Sequence, residues 1–597
     1  MEDTFFMSYP TCQLSWLNLV HAEIISVTSA MRKNSRWSGM SVSRLNMGGL
    51  GMSMGLRGRT AVAEEDTFRS QESPLMTGFS NLRIQLSNIF DVREIDALAL
   101  LEPFLEVIRS GDTNGPITAT ALSSVEKFLA YKIININSPN LFDAMSNLSS
   151  AATHCKFEVS DPVSDEIVLL KILQVLRLAL TSEVGQVLSD KALCEMMETG
   201  LSMCCQMRLN ELLRRSAEHT MIIMVQTMFE RAQDDEDPED SDLKPFGIPS
   251  INELLRVLIS LLDPHDHKHT DTMRLMALSI LNVAFEVGGH KIGRFQPLRE
   301  LVIDDLCKFL FQLARTENIL LLLYTLRVIS TVFDTMRPYL KLQGELYLSF
   351  LIERLIPPTS NLEINSEFSN TLVSLDSPLS SGMSTPLEKT MRPNGEPSIA
   401  TGEVRELLLE SLGQFARIPT FMVDLWVNYD CNLYCGDLFE DVVKFLSRNS
   451  LPDSTGYSAS HSHILCLDAL LLYINYTVTR LQAKKNVNNS LTSKKSWDQM
   501  SATDYNDGIR PSKYPSPIEL LDRKNKKKIL IEGASKFNEN PKTGLEFLEA
   551  NGIIINDSTM DKNTSIARFL KETPRINKKH LGDFLSKPSN IDILKAF

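Results

Sequence analysis

The side chains that could do chemistry in this chain are few and poorly grouped. His265, His267 and His269 alternate in D-P-H-D-H-K-H and could converge on an ion from a loop, but nothing nearby supplies a fixed second shell. A solvated turn between helices is the expected structure. Cys431 and Cys435 are four apart, as on one helix, and lack a second pair of ligands, while Cys204 and Cys205 read as core thiols. There is no G-x-x-x-x-G-K-S/T phosphate loop, no G-x-S-x-G elbow and no H-E-x-x-H pair. An NTPase, hydrolase or protease is therefore not expected, and the sequence assigns no catalytic residue, no metal ligand and no cofactor.

A different kind of chemistry is concentrated in R-I-P-T-F-M-V-D-L-W-V-N-Y-D-C-N-L-Y-C-G-D-L-F-E-D-V-V-K-F-L-S-R-N, from Arg417 to Asn449. Asn428, Tyr429, Asp430, Cys431 and Asn432 mix amide and carboxylate groups with aromatics at a helix end. Such groups cap backbone and fix the angle to the next helix. A purely structural corner and a docking surface for another regulatory domain both remain open, because polar corners serve either use.

The elements that must position these residues are helical. The 597 residues exceed what one hydrophobic core usually organises. From Pro74 to about Gln233 helices follow one another, the clearest from Asp165 to Thr181 with Ile167, Leu170, Val175 and Leu178 near one face and Leu169, Leu173 and Leu176 widening it, and another from about Cys204 to Arg231. Asp234 to Asp242 places seven acids in nine residues and marks a domain boundary. Beyond it S-I-N-E at Ser250 offers a capping box to the first of five helices ending near 356. Repeated helices of this length without alternating strand patterns predict an all-α fold of stacked helical repeats, of the HEAT or armadillo sort. Helices resume at Glu403 and run to about Leu481.

Between these regions lie a Gly-, Met- and Ser-rich loop at 39–73, a Ser/Pro-rich insertion at 357–401 that composition marks as disordered, and a polar linker at 483–516. Residues 1–20 receive no assignment. Glu2 and Asp3 stand where a signal peptide needs basic residues, and the run Ile319 to Leu326, ended by Arg327, reads as a buried core helix too short to span a bilayer. Any membrane contact is expected to be peripheral. Nine cysteines without framework spacing fit a reducing cytosol. A net charge of -13 argues against nucleic acid as a main partner.

The C-terminal stretch from Pro517 reads as two helices meeting at Asn540-Pro541, then short amphipathic pieces around Ile566, Phe569 and Leu570, around Leu581, Phe584 and Leu585, and around Ile591 and Leu594. Through Phe537-Asn538, Asn540-Pro541-Lys542, Gly544, Phe547-Leu548, Gly552 and N-I-D-I-L-K-A-F it resembles the beginning of the Sec-seven domain, the exchange module for Arf-family small GTPases. The segment at 417–449 resembles the box of the family's homology-upstream-of-the-exchange-domain region, with Asn432 where the family usually has aspartate. That departure puts any charge-dependent contact at Asn432 in doubt. E-P-F-L-E-V-I-R at Glu102 to Arg109, G-P-I-T at Gly115 to Thr118, Ser164 to Arg177, Met207 to Thr220 and the K-N-K-K-K run at Lys524 resemble the Golgi brefeldin A resistance branch of large Arf exchange factors.

The resemblance implies a dimerisation and cyclophilin-binding-like domain at 21–233, an acidic linker at 234–247, the upstream homology region at 248–482 and a partial Sec-seven domain at 517–597. It implies guanine-nucleotide exchange on an Arf-family GTPase at Golgi and early secretory membranes, supporting vesicle traffic from the cytoplasmic side. Self-association through the N-terminal domain and a Rab-type GTPase or other membrane-recruiting partner are implied in the same way. The family's catalytic glutamate lies in F-R-L-P-G-E, a string these residues do not contain. Residues 1–597 alone are therefore expected not to exchange nucleotide, and the partial domain, Lys524 to Phe597, is expected to leave its apolar faces uncovered. The alternative readings are a non-enzymatic helical scaffold and an interfering short form that dimerises with a full-length factor.

Overall fold

The computed structural model describes residues 16–34, 74–88, 95–158, 161–231, 246–356, 400–418, 420–451, 460–490, 515–554, 561–573 and 575–597. The loop at 39–73 and the acidic run at 234–242 lie outside them, as do nearly all of the insertion at 357–401 and most of the linker at 483–516. Among the described residues every extended element is a helix, and the sole β-type pairing is one isolated bridge between Asn114 and Glu158. The packing divides into two compact units, Met1–Asp305 and Leu306–Phe597.

The first unit runs through α1 (Trp16–Lys33), α2 (Pro74–Ser87), α3 (Ala97–Arg109), α4 (Gly115–Ala130), α5 (Leu141–Thr153), α6 (Pro162–Thr181), α7 (Asp190–Cys205), α8 (Glu211–Arg231), α9 (Ile248–Ser260), α10 (Asp271–Ile292) and α11 (Gln296–Leu301). Packing follows alternation: α4, α6, α8 and α10 lie side by side in one layer, and α3, α5, α7, α9 and α11 in the other. This is the stacked helical-repeat arrangement, each helix burying one face between layers. Starts are set by short polar side chains: Asp96, Asn114, Asp161, Ser189 and Thr270 each accept an amide of the first turn that follows. Ends are held from the next helix of the same layer. Arg231 donates to the carbonyls of Leu180 at 2.6 Å and Thr181 at 2.7 Å, and Lys291 to Phe229 at 3.2 Å, so a cation meets the negative end of a helix.

Several sequence expectations are corrected here. Residues 204–231 are two helices, separated at Gln206–Asn210, where Asn210 turns its side chain to the Leu212 amide. In α6 the buried side chains are Val168, Ile172, Leu173, Val175, Leu176, Ala179 and Leu180, so Leu173, Val175 and Leu176 of the expected face are covered, while Leu169, Leu170 and Leu178 are half-buried and Ile167 is exposed. Ser250 does not cap α9. The helix begins two residues earlier, and the Asp190 carboxylate accepts the amides of Gly247 at 2.9 Å and Ser250 at 3.3 Å. The helices just after the acidic run pack on those just before it.

The second unit contains α12 (Cys307–Leu313), α13 (Ile319–Met336), α14 (Lys341–Leu355), α15 (Gly402–Ala416), α16 (Phe421–Leu425), α17 (Leu438–Asn449), α18 (His461–Ser490), α19 (Pro517–Glu539), α20 (Pro541–Ala550), α21 (Lys562–Glu572), α22 (Lys578–Leu585) and α23 (Ile591–Ala596). Here α13, α15 and α18 form one layer and α14 packs on α17. Helix α13 is only half a core helix: Leu322, Leu326, Ile329 and Val332 are buried, whereas Leu320 and Leu323 are exposed. By length and hydropathy alone Ile319–Tyr339 and His461–Gln482 both reach the measure of a membrane-crossing helix, because a few charged residues do not offset so many apolar neighbours. Helix α18 also continues through residues expected to be linker, as far as Ser490.

The C-terminal helices enclose a cluster of their own, so the expectation of uncovered faces holds only for the last of them, where Ile591, Leu594 and Phe597 are exposed. Phe537 is fully buried and meets the rings of Phe584 and Phe569 edge-on at 5.3 and 6.2 Å, with Leu548, Ile566, Leu570 and Leu585 around them. Gly544 makes the corner at Asn540-Pro541 possible, since a Cβ there would stand 2.5 Å from the Phe537 backbone.

Candidate functional site

The polar corner begins where α16 widens into a turn of π-helix, Trp426–Asp430, closed by the Cys431 amide donating to the Trp426 carbonyl at 2.9 Å. Such a wide turn re-aims side chains that a regular helix would leave in register. Tyr429 is thereby buried, and its hydroxyl donates to the Lys341 carbonyl at 2.8 Å. Gly344 permits this approach, for a Cβ would lie 2.7 Å from the Tyr429 Oη. The Gly436 amide donates to Glu345 Oε1 at 2.6 Å, so the first turn of α14 grips the corner at two points.

Asp430 is 1 % exposed. Its Oδ2 accepts the Phe439 amide at 2.9 Å and so caps the start of α17, whose own N-cap residue, Asp437, makes no side-chain cap. Asp437 instead faces two lysines of α19. Lys524 Nζ lies 2.7 Å from Asp437 Oδ1, 3.3 Å from Asp430 Oδ1 and 3.7 Å from Glu440 Oε2. Lys527 is 2 % exposed and donates to the carbonyls of Tyr429 at 2.8 Å and Gly436 at 3.1 Å, with Asp437 Oδ1 at 3.0 Å. All three ammonium protons of Lys527 are thus used, the condition under which a buried lysine is tolerated.

The electrostatics follow the burial. Desolvation pushes the Asp430 carboxyl above its ordinary value, against the pull of the Phe439 amide and Lys524. Burial works the same way on Asp437, but hydrogen bonds from Lys524 and Lys527 outweigh it and hold that carboxyl below the ordinary range. Burial would lower Lys524, and the facing Asp437 and Asp430 reverse the sign. Asp441, one turn into α17 and close to Asp437, Asp430 and Glu440, is raised to about 6, chiefly by burial. Asp430, Asp437 and Glu440 bring ligand atoms within 4.8 Å of one another, close enough to hold an ion. The Lys524 ammonium already supplies that charge, so the set reads as an ammonium-binding cage.

Of the five residues singled out in the sequence, Tyr429 and Asp430 meet α19 directly, and Cys431 is buried behind them. Asn428 is exposed, and Asn432 Oδ1 accepts the Tyr434 amide at 3.0 Å in a local turn that aspartate would also make. Cys431 and Cys435 sit on this turn, not on one helix face, and burial raises both thiols. Sequence reasoning missed Asp437, Lys524, Lys527 and Tyr434. A signal existed for the lysines, which are three apart within K-N-K-K-K and so share a helix face. The Tyr434 hydroxyl adds a second link, hydrogen-bonding Glu572 of α21 and holding that carboxylate below its ordinary value.

The three histidines lie on the turn between α9 and α10, where Arg274 donates to the carbonyls of Asp263 at 3.0 Å and Asp266 at 3.2 Å, and Asp266 Oδ1 accepts the Lys268 amide.

The corner therefore fastens α14 and α17 to the first half of α19, while the second half of α19, through Leu530, Ala534 and Phe537, belongs to the C-terminal cluster. Residues 247–438 match the family described as Mon2/Sec7/BIG1-like, HUS domain, and residues 526–597 match the Sec7 domain. An uncharacterized protein of Schizosaccharomyces pombe is 39% identical over 98% of this chain and 41% of its own length. The Golgi-specific brefeldin A-resistance guanine nucleotide exchange factor 1 homolog of Caenorhabditis elegans is 25% identical over 88% of this chain and 33% of its own. ARF guanine-nucleotide exchange factor 2 of Saccharomyces cerevisiae is 25% identical over 97% and 42%. The chain thus spans less than half the length of these relatives.

Proposed function

We propose that the chain belongs to the large Sec-seven-domain family of Arf guanine-nucleotide exchange factors, and that residues 1–597 form the regulatory arm of an exchange factor acting on an Arf-family GTPase. The observation that carries this reading is the ammonium cage. Tyr429, Asp430 and Asp437 of the upstream homology region hold Lys524 and Lys527, on the helix that leads into the Sec-seven match. A buried charged lock fixes orientation more sharply than it adds stability, and exchange depends on how the catalytic module is presented. Asn428 to Asn432 are then a docking corner in which Asn428 is exposed and Asn432 half-buried, while Tyr429 and Asp430 hold α19.

The family's domain scheme supports four further assignments: a dimerising domain at 21–233, the upstream region at 248–482, recruitment by a Rab-type or other membrane-bound partner, and residence in the cytoplasm against Golgi and early secretory membranes. Names of relatives such as the Caenorhabditis elegans factor favour the Golgi. The test is release of fluorescent GDP from a myristoylated Arf-family GTPase on liposomes, catalysed by the natural product carrying these residues at whatever length it is made. Acceleration is expected, and none would overturn the reading. Residues 1–597 alone, without an F-R-L-P-G-E string, are expected to be silent in the same assay.

A further inference from the structure

A cavity of about 250 Å³ lies in the first unit, between the end of α4 with the turn after it and the end of α6 with the turn after it. Leu129, Ile134, Leu178 and Val184 give it apolar walls. Lys132 and Glu183, both lining residues and both exposed, meet across it with Nζ 2.5 Å from Oε1. Lys132 follows the C-cap of α4 with a φ of 54°, the left-handed conformation that favours glycine. Its amide donates to the Leu129 carbonyl at 3.1 Å, and the Ile133 amide to Phe128 at 3.0 Å, which closes the turn. Glycine would make this turn without strain, and a strained residue beside a cavity points to use of its side chain. We propose that the cavity binds a free medium-chain carboxylate, with its tail between the apolar walls and its carboxylate taking the place of Glu183 on Lys132.

Size and charge select that ligand. An apolar cavity of about 150 Å³ holds benzene, with its six heavy atoms, so about 250 Å³ holds on the order of ten, the size of octanoate. The two chains of a membrane lipid exceed that volume. Arg231 adds a second cation, donating to the carbonyls of Ser182 at 3.1 Å and Thr181 at 2.7 Å, both of which line the cavity. Lys132 and Arg231 thus stand against Glu183 alone among the charges at the lining, although the chain as a whole carries -13. A preference for an anion must therefore come from these local cations, since the net charge repels it. The site is independent of the exchange-factor reading and is built wholly from described residues.

The experiment is isothermal titration calorimetry of residues 1–597 with octanoate, octan-1-ol and acetate. Octanoate is expected to bind saturably, octan-1-ol about threefold more weakly for want of the charge, and acetate not at all. Lys132→Gly removes the ammonium and relieves the turn, so it should melt close to the wild-type temperature and bind octanoate no better than octan-1-ol. Glu183→Gln frees Lys132 and should tighten octanoate about threefold. Leu178→Phe fills the space and should abolish binding, with circular dichroism to confirm equal helicity. No saturable octanoate binding to the wild type overturns the proposal, and so does an octanoate affinity unchanged in Lys132→Gly. Binding retained by a folded Leu178→Phe would put the ligand elsewhere and overturn it too.

Discussion

Replacing Lys527 by methionine keeps the length and apolar stem of the side chain and removes only its ammonium. The Tyr429 and Gly436 carbonyls lose their donor, and Asp437 loses one of two lysines while keeping Lys524 at 2.7 Å. Breaking a buried pair by removing one partner costs about 3–5 kcal/mol, and the remaining Lys524 puts this case near the lower end, about 3 kcal/mol. Since about 1.4 kcal/mol is tenfold in an equilibrium, local opening of α19 should become roughly a hundredfold more frequent. Hydrogen exchange followed by mass spectrometry reads this directly in amides of the first half of α19, Leu520 to Leu530. The control is Lys526→Met on the exposed side, where Lys526 pairs with Asp522 one turn away, and it should change stability by no more than about 0.5 kcal/mol. Exchange in Lys527→Met within threefold of wild type would refute the reasoning, because the cage would then not hold the helix.

Three further perturbations test neighbouring parts. Asp441 holds its proton up to about pH 6 in the fold and only to its ordinary 3.8 outside it, so the folded chain binds more protons in that window and loses stability as pH rises through it. Asp441→Asn should flatten that slope and stabilise the chain at pH 7 by about 1 kcal/mol after allowance for solvent screening, and urea unfolding at pH 4.5 and 7 would show it. Gly344→Ala should cost about 1–3 kcal/mol by driving Tyr429 off the Lys341 carbonyl, with part recovered in the Tyr429→Phe background, as thermal melts would show. Phe537→Ala should cost about 3–5 kcal/mol and expose the C-terminal cluster to limited proteolysis. An unchanged cleavage pattern would contradict a self-enclosed cluster.

The helical class and the positions of most helices were legible because apolar spacing and short polar caps act locally: Asn540-Pro541 forms the corner expected of it, and Ser516 and Asn540 each cap a helix start. What escaped was set by partners distant in sequence. Ser250 has the right neighbours for a capping box, yet Asp190, sixty residues away, takes the amides. The text of the corner at Asn428 to Asn432 does not show what meets it, because the charges packed there are Lys524, 94 residues from Asp430, and Lys527, 98 from Tyr429. Ile167 and Leu320 show the same limit, since a helix apolar on several sides does not announce which side the layer will cover.

On the proposed reading, this corner presents the exchange module by gripping α19. The most direct measurement compares GDP release from a myristoylated Arf-family GTPase on liposomes by the natural full-length product and by its Lys527→Met and Lys526→Met forms. A rate at least tenfold lower is expected for Lys527→Met, within the roughly hundredfold that misplacement by about an ångström can cost, and a wild-type rate for Lys526→Met. Equal rates for all three, with α19 loosened in the Lys527→Met form, would contradict it.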